Sequence, residues 1–271
     1  MKGITRRRFL GTLTAATLIG FMHGAVHGAE ETGNGSTVKI LQFADMHITD
    51  QKSLDYPRKV IEEMNKEGGD LAIVAGDIAT AGRRSELELA KQLLDKLDMP
   101  WYVVQGNHDV LYAAGKDEAL FREVFSLKAN SYDFVAKDIH FIAIAHGCGR
   151  SYRDNSVRPE VLAWMRETIK GIKDDRPIIL VSHYPFARGV NYATPNAAEV
   201  LSLFDGKKLI AVMSGHFHGN TKKIENGVLM TTTACCSGTR GNHDGTKAKG
   251  YRIFRVDEGA KITTEFREVR P

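Results

Sequence analysis

Five short polar clusters carry most of the chemical potential of this 271-residue chain: Asp45-Met46-His47, Gly76-Asp77, Gly106-Asn107-His108-Asp109, Ser182-His183 and Gly215-His216-Phe217-His218. Carboxylate, imidazole and amide side chains in this mixture suit Fe, Mn, Zn or Co; Mg and Ca prefer all-oxygen shells. Singly, each cluster has an ordinary explanation, since an Asp after a strand is a common turn former or helix cap. A lone His183 is more often a core or surface histidine than a ligand. Together they are more specific. Of the eight histidines from Glu30 onward, five fall inside these clusters. Residues two apart on an extended backbone share a face, so Asp45 with His47 and His216 with His218 are expected to grip in pairs.

Each cluster directly follows a short apolar run. The runs Val38 to Phe43, Leu71 to Ala75, Trp101 to Val104, Ile139 to Ala145, Ile178 to Val181 and Leu209 to Met213 read as buried strands. Amphipathic stretches at helical spacing lie between them, namely Tyr56 to Glu67, Ser85 to Leu97, Glu118 to Phe125, Pro159 to Ile172 and Ala197 to Phe204. Strands alternating with helices define an α/β class with helices outside a sheet core. Ligands in such folds gather beyond the carboxyl ends of strands, where the five clusters fall. The segments Asn220 to Thr233 and Gly250 to Glu268 lack helical signals and read as hairpins, with Glu225-Asn226-Gly227 as one turn.

The set Asp45-x-His47, Gly76-Asp77, Gly106-Asn107-His108-Asp109, His183 and Gly215-His216-x-His218 resembles the calcineurin-like metallophosphoesterase superfamily, over about 175 residues and with no ligand position missing. The resemblance implies a four-layer α/β/β/α sandwich with mixed sheets and a two-metal site at one end. It implies that Asp45, His47 and His218 hold one ion, that Asn107, His183 and His216 hold the other, and that Asp77 bridges both. The ions would be Mn, Fe or Zn. A solvent nucleophile activated between two such ions would attack phosphorus in line. By the same resemblance His108 is the general acid or a donor to the phosphate. Asp109 either orients His108 or caps the helix that follows. Purple acid phosphatases, one branch of this superfamily, carry Tyr three residues after the bridging Asp; Thr80 stands there, so the tyrosinate colour and its ferric ligand are not expected. Size and motif order are similar instead to small bacterial members related to cyclic-nucleotide phosphodiesterases.

Other polar residues near strand ends are open to two readings. Arg150 and Arg153 are candidates for phosphate contact, and His146 for the site wall but not for a metal. A second Gly-Asn-His-Asp, at Gly241 to Asp244, has no apolar run before it. The favoured reading is a coincidence in a surface loop, and the alternative is that Arg240 and His243 border the substrate pocket.

The formal charge of +4 is supplied by Lys2, Arg6, Arg7 and Arg8, and the balance from Glu30 onward is zero. A neutral balance is a poor footprint for a protein that grips nucleic acid through its backbone, so nucleic acid is not expected as the primary partner, although a local basic patch is still open. Residues 1–29 read as an export signal in which Thr5-Arg6-Arg7-Arg8-Phe9-Leu10 resembles the twin-arginine type; the 13-residue apolar run is short for a membrane span. A polar linker, 30–37, precedes a single domain, 38–271. The expected location is periplasmic or extracellular, reached through the export machinery, or tethered to the membrane if the signal is retained. Cys148, Cys235 and Cys236 are read as buried thiols, with a bridge from Cys148 to one of the others as the alternative. The leading functional expectation is hydrolysis of a small phosphomonoester or phosphodiester in the cell envelope. The alternatives are a nuclease of the same superfamily and a non-catalytic module that keeps the fold.

Overall fold

A computed structural model of the chain describes residues 37–113 and 118–270. The expected export signal and all but the last residue of the expected linker lie outside these residues. Five α-helices, two 3-10 turns and eleven strands are present among the described residues. The first half runs β1 (Val38–Phe43), α1 (Asp55–Glu67), β2 (Leu71–Ala75), α2 (Arg84–Leu94), β3 (Trp101–Val104), α3 (Ala119–Phe125), β4 (Tyr132–Ala136) and β5 (Ile139–Ile144). The second half runs α4 (Pro159–Lys170), β6 (Pro177–Ser182), α5 (Ala197–Ser202), β7 (Lys208–Ser214), β8 (Lys222–Glu225), β9 (Val228–Thr232), β10 (Gly250–Val256) and β11 (Ile262–Glu268).

The strands form two mixed sheets, one ordered β11-β10-β1-β2-β3 and the other β4-β5-β6-β7-β9-β8. β1, β2 and β3 run parallel, as do β5, β6, β7 and β9, so their carboxyl ends gather at one edge of each sheet. Continuous apolar runs such as Leu71–Ala75, buried at every position, are what a strand covered on both faces requires.

Three apolar clusters define the layers. Ile40, Ile73 and Phe254 of the first sheet meet Phe141, Ile179 and Met213 of the second in an inner core. On the outer face of the first sheet, Leu41, Phe43 and Val74 pack with Val60 and Met64 of α1, Leu87 and Leu94 of α2 and Phe121 of α3. On the far side, Ile142, Leu180 and Val212 pack with Leu162 and Met165 of α4 and Val200 of α5. The architecture is the four-layer α/β/β/α sandwich. Polar ties cross between the sheets: Gln42 Nε2 donates to the Ser214 carbonyl at 2.9 Å, Arg252 Nη2 to the carbonyls of Thr221 and Thr232 at 3.1 and 3.2 Å, and the Tyr132 hydroxyl to the Val103 carbonyl at 2.7 Å.

The structure departs from the sequence reading at several places. β4 was not expected; it pairs antiparallel with β5 through Lys137-Asp138, both at positive φ (50° and 62°), a tight turn without the usual Asn-Gly signal. The two late hairpins belong to different sheets, β8-β9 extending the second and β10-β11 the first. Helices α2, α4 and α5 end two or three residues before the expected boundaries; after α5, the Leu203 and Phe204 N–H groups turn to carbonyls three residues back. All three cysteines are buried free thiols. No helix among the described residues is long and apolar enough to cross a membrane.

Candidate metal centre

The loops after β1, β2 and β3 from one sheet and after β6 and β7 from the other meet at the common edge. Donor atoms of Asp45, His47, Asp77 and His218 lie within 4.8 Å of one another, and so do those of Asp77, His183 and His216, so the two groups share Asp77. His47 Nε2 is 3.0 Å from His218 Nε2, which lies 3.2 Å from Asp45 Oδ1; on the other side His183 Nε2 is 3.4 Å from Asp77 Oδ1 and 3.0 Å from His216 Nδ1. Asn107 borders the same cleft, and its Oδ1 is buried without a hydrogen-bond partner.

Backbone geometry shows how the chain turns these side chains inward. Asp45, His47, Asp77, His216 and His218 all have left-handed backbones, with φ between 47° and 63°. The pairs Asp45/His47 and His216/His218 therefore converge through left-handed turns, correcting the expectation of an extended, pleated backbone. Such conformations cost roughly 1–3 kcal/mol each and persist only where the surroundings over-determine them. Backbone hydrogen bonds do so here: Asp45 N–H donates to the Gly76 carbonyl and His47 N–H to the Asp77 carbonyl, each at 3.0 Å. Gly76 and Gly106 are required by close approach. A Cβ on Gly76 would lie 2.5 Å from the His183 ring, and one on Gly106 would lie 2.3 Å from both the backbone N and Oδ1 of Asp77.

Carbonyl oxygens set the tautomers. His183 Nδ1 donates to the Ala75 carbonyl at 2.9 Å and His218 Nδ1 to the Gly241 carbonyl at 3.1 Å, leaving each Nε2 for the centre. Burial works to lower both imidazoles, but Asp77 outweighs it at His183, pushing it up to about 9, and Asp45 outweighs it at His218, pushing it up to about 11. Burial, with His183 beside it, holds His216 down to about 2, and burial also lowers His47. Burial would raise Asp77, but the adjacent His183 keeps it well below the usual carboxylate range.

Packing two carboxylates and four imidazoles into a buried cluster is unfavourable unless their charges and lone pairs find partners. The His47 and His218 Nε2 atoms face each other, and Asn107 Oδ1 is orphaned; both arrangements fit donors aimed at cations. The nitrogen and carboxylate donor set suits transition-metal ions.

His108 lies on the cleft wall. Its Nδ1 donates to the Thr80 carbonyl at 2.7 Å, and its backbone N–H donates to Asp77 Oδ1 at 2.8 Å. Asp109 neither orients this ring nor caps the helix that follows, Ala119–Phe125, which corrects both roles expected for it. Its buried carboxylate instead accepts the N–H groups of Ala79 and Gly106, each at 2.8 Å, and so clips the loop after β2 to the loop after β3. That second bond closes the start of the 3-10 turn Asn107–Asp109, in which Asp109 itself lies, and burial together with Asp77 raises Asp109 to about 8. Arg150 is also reassigned. Its guanidinium donates to the carbonyls of Val110 and Thr80 at 2.9 and 3.0 Å, bracing the His108 loop from behind, away from the cleft. Arg153 lies over the Tyr152 ring and His146 is buried between Asn155 and Ser182; neither lines the cleft. Thr80 Oγ1 donates to the His47 carbonyl at 2.8 Å.

The second Gly-Asn-His-Asp takes its alternative reading. Arg240 and His243 line the cleft of about 170 Å³, and His243 stacks on His218 with centroids 4.5 Å apart. Asn242 anchors this loop, accepting the Cys235 N–H at 3.1 Å and donating to the Ala248 carbonyl at 2.7 Å. Tyr152 and Tyr192 complete the rim. Neither was singled out from the sequence, because both sit in irregular loops whose course no periodicity reveals.

The family model for calcineurin-like phosphoesterases matches residues 38–220. The chain belongs to that family, and with it to the hydrolases of phosphoric esters. A probable glycerophosphodiester phosphodiesterase of Arcobacter nitrofigilis is 25% identical over 217 residues, covering 72% of this chain and 77% of its own length. A probable cyclic nucleotide phosphodiesterase of Fibrobacter succinogenes is 25% identical over 210 residues, covering 72% and 78%. Among solved structures, the purple acid phosphatase PPD1 of yellow lupin superposes with a TM-score of 0.70 at 14% identity, over 87% of this chain and 52% of its own, so this chain spans about half that enzyme's length. A dimetal phosphatase of Danio rerio gives 0.61 at 13% identity, over 84% and 98%.

Proposed function

We propose that this phosphoesterase hydrolyses a small phosphomonoester or phosphodiester with two metal ions, one held by Asp45, His47 and His218 and one by Asn107, His183 and His216, with Asp77 common to both. The observation that carries this reading is the double membership of Asp77: one buried carboxylate completes both donor groups. Ions held there would neutralise charge on the phosphoryl oxygens and supply an activated solvent nucleophile at neutral pH. The protein's own groups do the rest. Thr80 fixes the His108 ring so that its Nε2 can serve the leaving oxygen, as a proton donor or a hydrogen-bond partner. Arg240, which also lines the cleft, brings a guanidinium to the phosphate.

The test is metal content measured alongside turnover of bis(p-nitrophenyl) phosphate in the presence of Mn2+. Wild type is expected to hold two ions per chain and to turn over the ester. Asp77→Ala is expected to lose ions from both groups, and His108→Ala to keep two ions while kcat falls about 10²- to 10⁴-fold. One ion per chain, or full turnover by His108→Ala, would overturn the assignment, and protein inert with every metal tried would favour a non-catalytic module.

The same proposal places the enzyme in the cell envelope, supported by the Thr5-to-Leu10 motif and the apolar run after it. Changing Arg6 and Arg7 together to Lys should leave the precursor in the cytoplasm on fractionation; unchanged location would remove the twin-arginine route.

A further inference from the structure

Tyr152 and Tyr192 stand at the mouth of the cleft with 47% and 44% of their surfaces exposed, and no ligand role needs them. Their rings meet at 6.3 Å between centroids and 68° between planes, which makes a corner, and the Tyr192 ring continues that wall to His216, 5.3 Å and 85° away. Tyr192 also has a left-handed backbone, φ 61°, a costly state for an aromatic residue and one that must be held from outside. A buried polar chain holds it: His146 Nδ1 donates to the Asn155 carbonyl at 2.6 Å, and Asn155 Nδ2 donates to the Tyr192 carbonyl at 2.7 Å. Asn155 is 1% exposed and His146 is 3% exposed, so interior groups fix the place of a half-exposed ring. Arg240 and His243 also line the cleft, His243 stacked on His218, and among the described residues no carboxylate forms an ion pair with Arg240.

We propose that Tyr152 and Tyr192 are specificity-determining residues that receive a flat ring carried by the ester, so that the cleft selects aryl and heteroaromatic phosphate esters over esters of small aliphatic alcohols. This rests on the phosphoesterase reading above. A ring set into the corner meets one tyrosine face-on and the other edge-on, both favourable aromatic arrangements, with neither tyrosine displaced. The pinned backbone of Tyr192 means that the corner is formed before the ligand arrives, which lowers the entropy lost on binding.

Phosphonates separate binding from turnover, because their carbon–phosphorus bond is not an ester. Calorimetric titration of the Mn2+-loaded protein with phenylphosphonate and methylphosphonate should give a preference for phenyl on the order of tenfold. In Tyr152→Ala/Tyr192→Asn, where Asn tolerates the left-handed backbone, the ratio of the two constants should fall to about one. Tyr152→Leu alone, at an exposed position, should reduce it severalfold and covers the case in which the double variant misfolds. Equal constants in wild type, or a preference that survives in both variants, would overturn the proposal. Turnover of bis(p-nitrophenyl) phosphate, measured in parallel, keeps the two readings apart: selective phenylphosphonate binding without turnover would sink the hydrolase and leave the corner standing.

Discussion

At His183 and His218 a carboxylate neighbour decides what an imidazole does at neutral pH. With folded values of about 9 and about 11, both rings carry a proton in the metal-free protein, whereas buried His47 and His216 are neutral and already present lone pairs. An incoming cation must therefore displace two protons. Because both values are raised, the proton is the stronger competitor at lower pH, and affinity should fall as pH falls. Between pH 8 and pH 6 the apparent Mn2+ affinity should drop up to about tenfold per pH unit for each proton displaced. Titrations in buffers of different ionisation enthalpy would count the protons; an affinity independent of pH across that window would mean that the rings are neutral before metal arrives.

Loops and strands, not single ligands, explain why the glycines of these clusters matter. Gly106 has an ordinary negative φ of −96°, so Gly106→Ala introduces no backbone strain; its methyl group would instead collide with the backbone and carboxylate of Asp77. The expected result is a loss of about 1–3 kcal/mol in urea unfolding, as for other overpacked sites, together with much weaker metal retention. A variant with wild-type metal content would show that the two loops can separate without harm. The strands that deliver the clusters were legible in the sequence because each is a short, mostly apolar run ended by polar residues; β1, β2 and β3 begin and end where expected. The seven candidate ligands were legible because types and order survive without geometry. What escaped notice depends on three-dimensional neighbours. β4 turns on Lys137-Asp138, which carries no turn signature, and Asp109 was assigned to the ring beside it in sequence when its partners are the Ala79 and Gly106 amides. The loop from Ser237 to Lys249 looks like surface filler until Gly241 and His243 are found against His218.

For the molecule as a whole, the candidate ligands are divided between the two sheets: Asp45, His47, Asp77 and Asn107 follow strands of one, His183, His216 and His218 strands of the other. Bound ions would then fasten one half of the sandwich to the other, adding to the Gln42 and Arg252 ties. A ligand present at about a thousand times its dissociation constant stabilises by about 4 kcal/mol, which for a domain of this size corresponds to a Tm change on the order of 10 °C. Calorimetric scans with and without a chelator should show that drop, and an unchanged Tm would mean that the sheets hold together without help from the cluster. The pairing of β10 with β1 bears on synthesis at the ribosome. The strand that opens the fold acquires its antiparallel neighbour only after Gly250 to Val256 has been made, so its backbone stays unsealed on that side while the nucleus of the reaction chemistry is already translated. A chain cut short before that point would carry every candidate ligand yet leave an adhesive border along its opening strand.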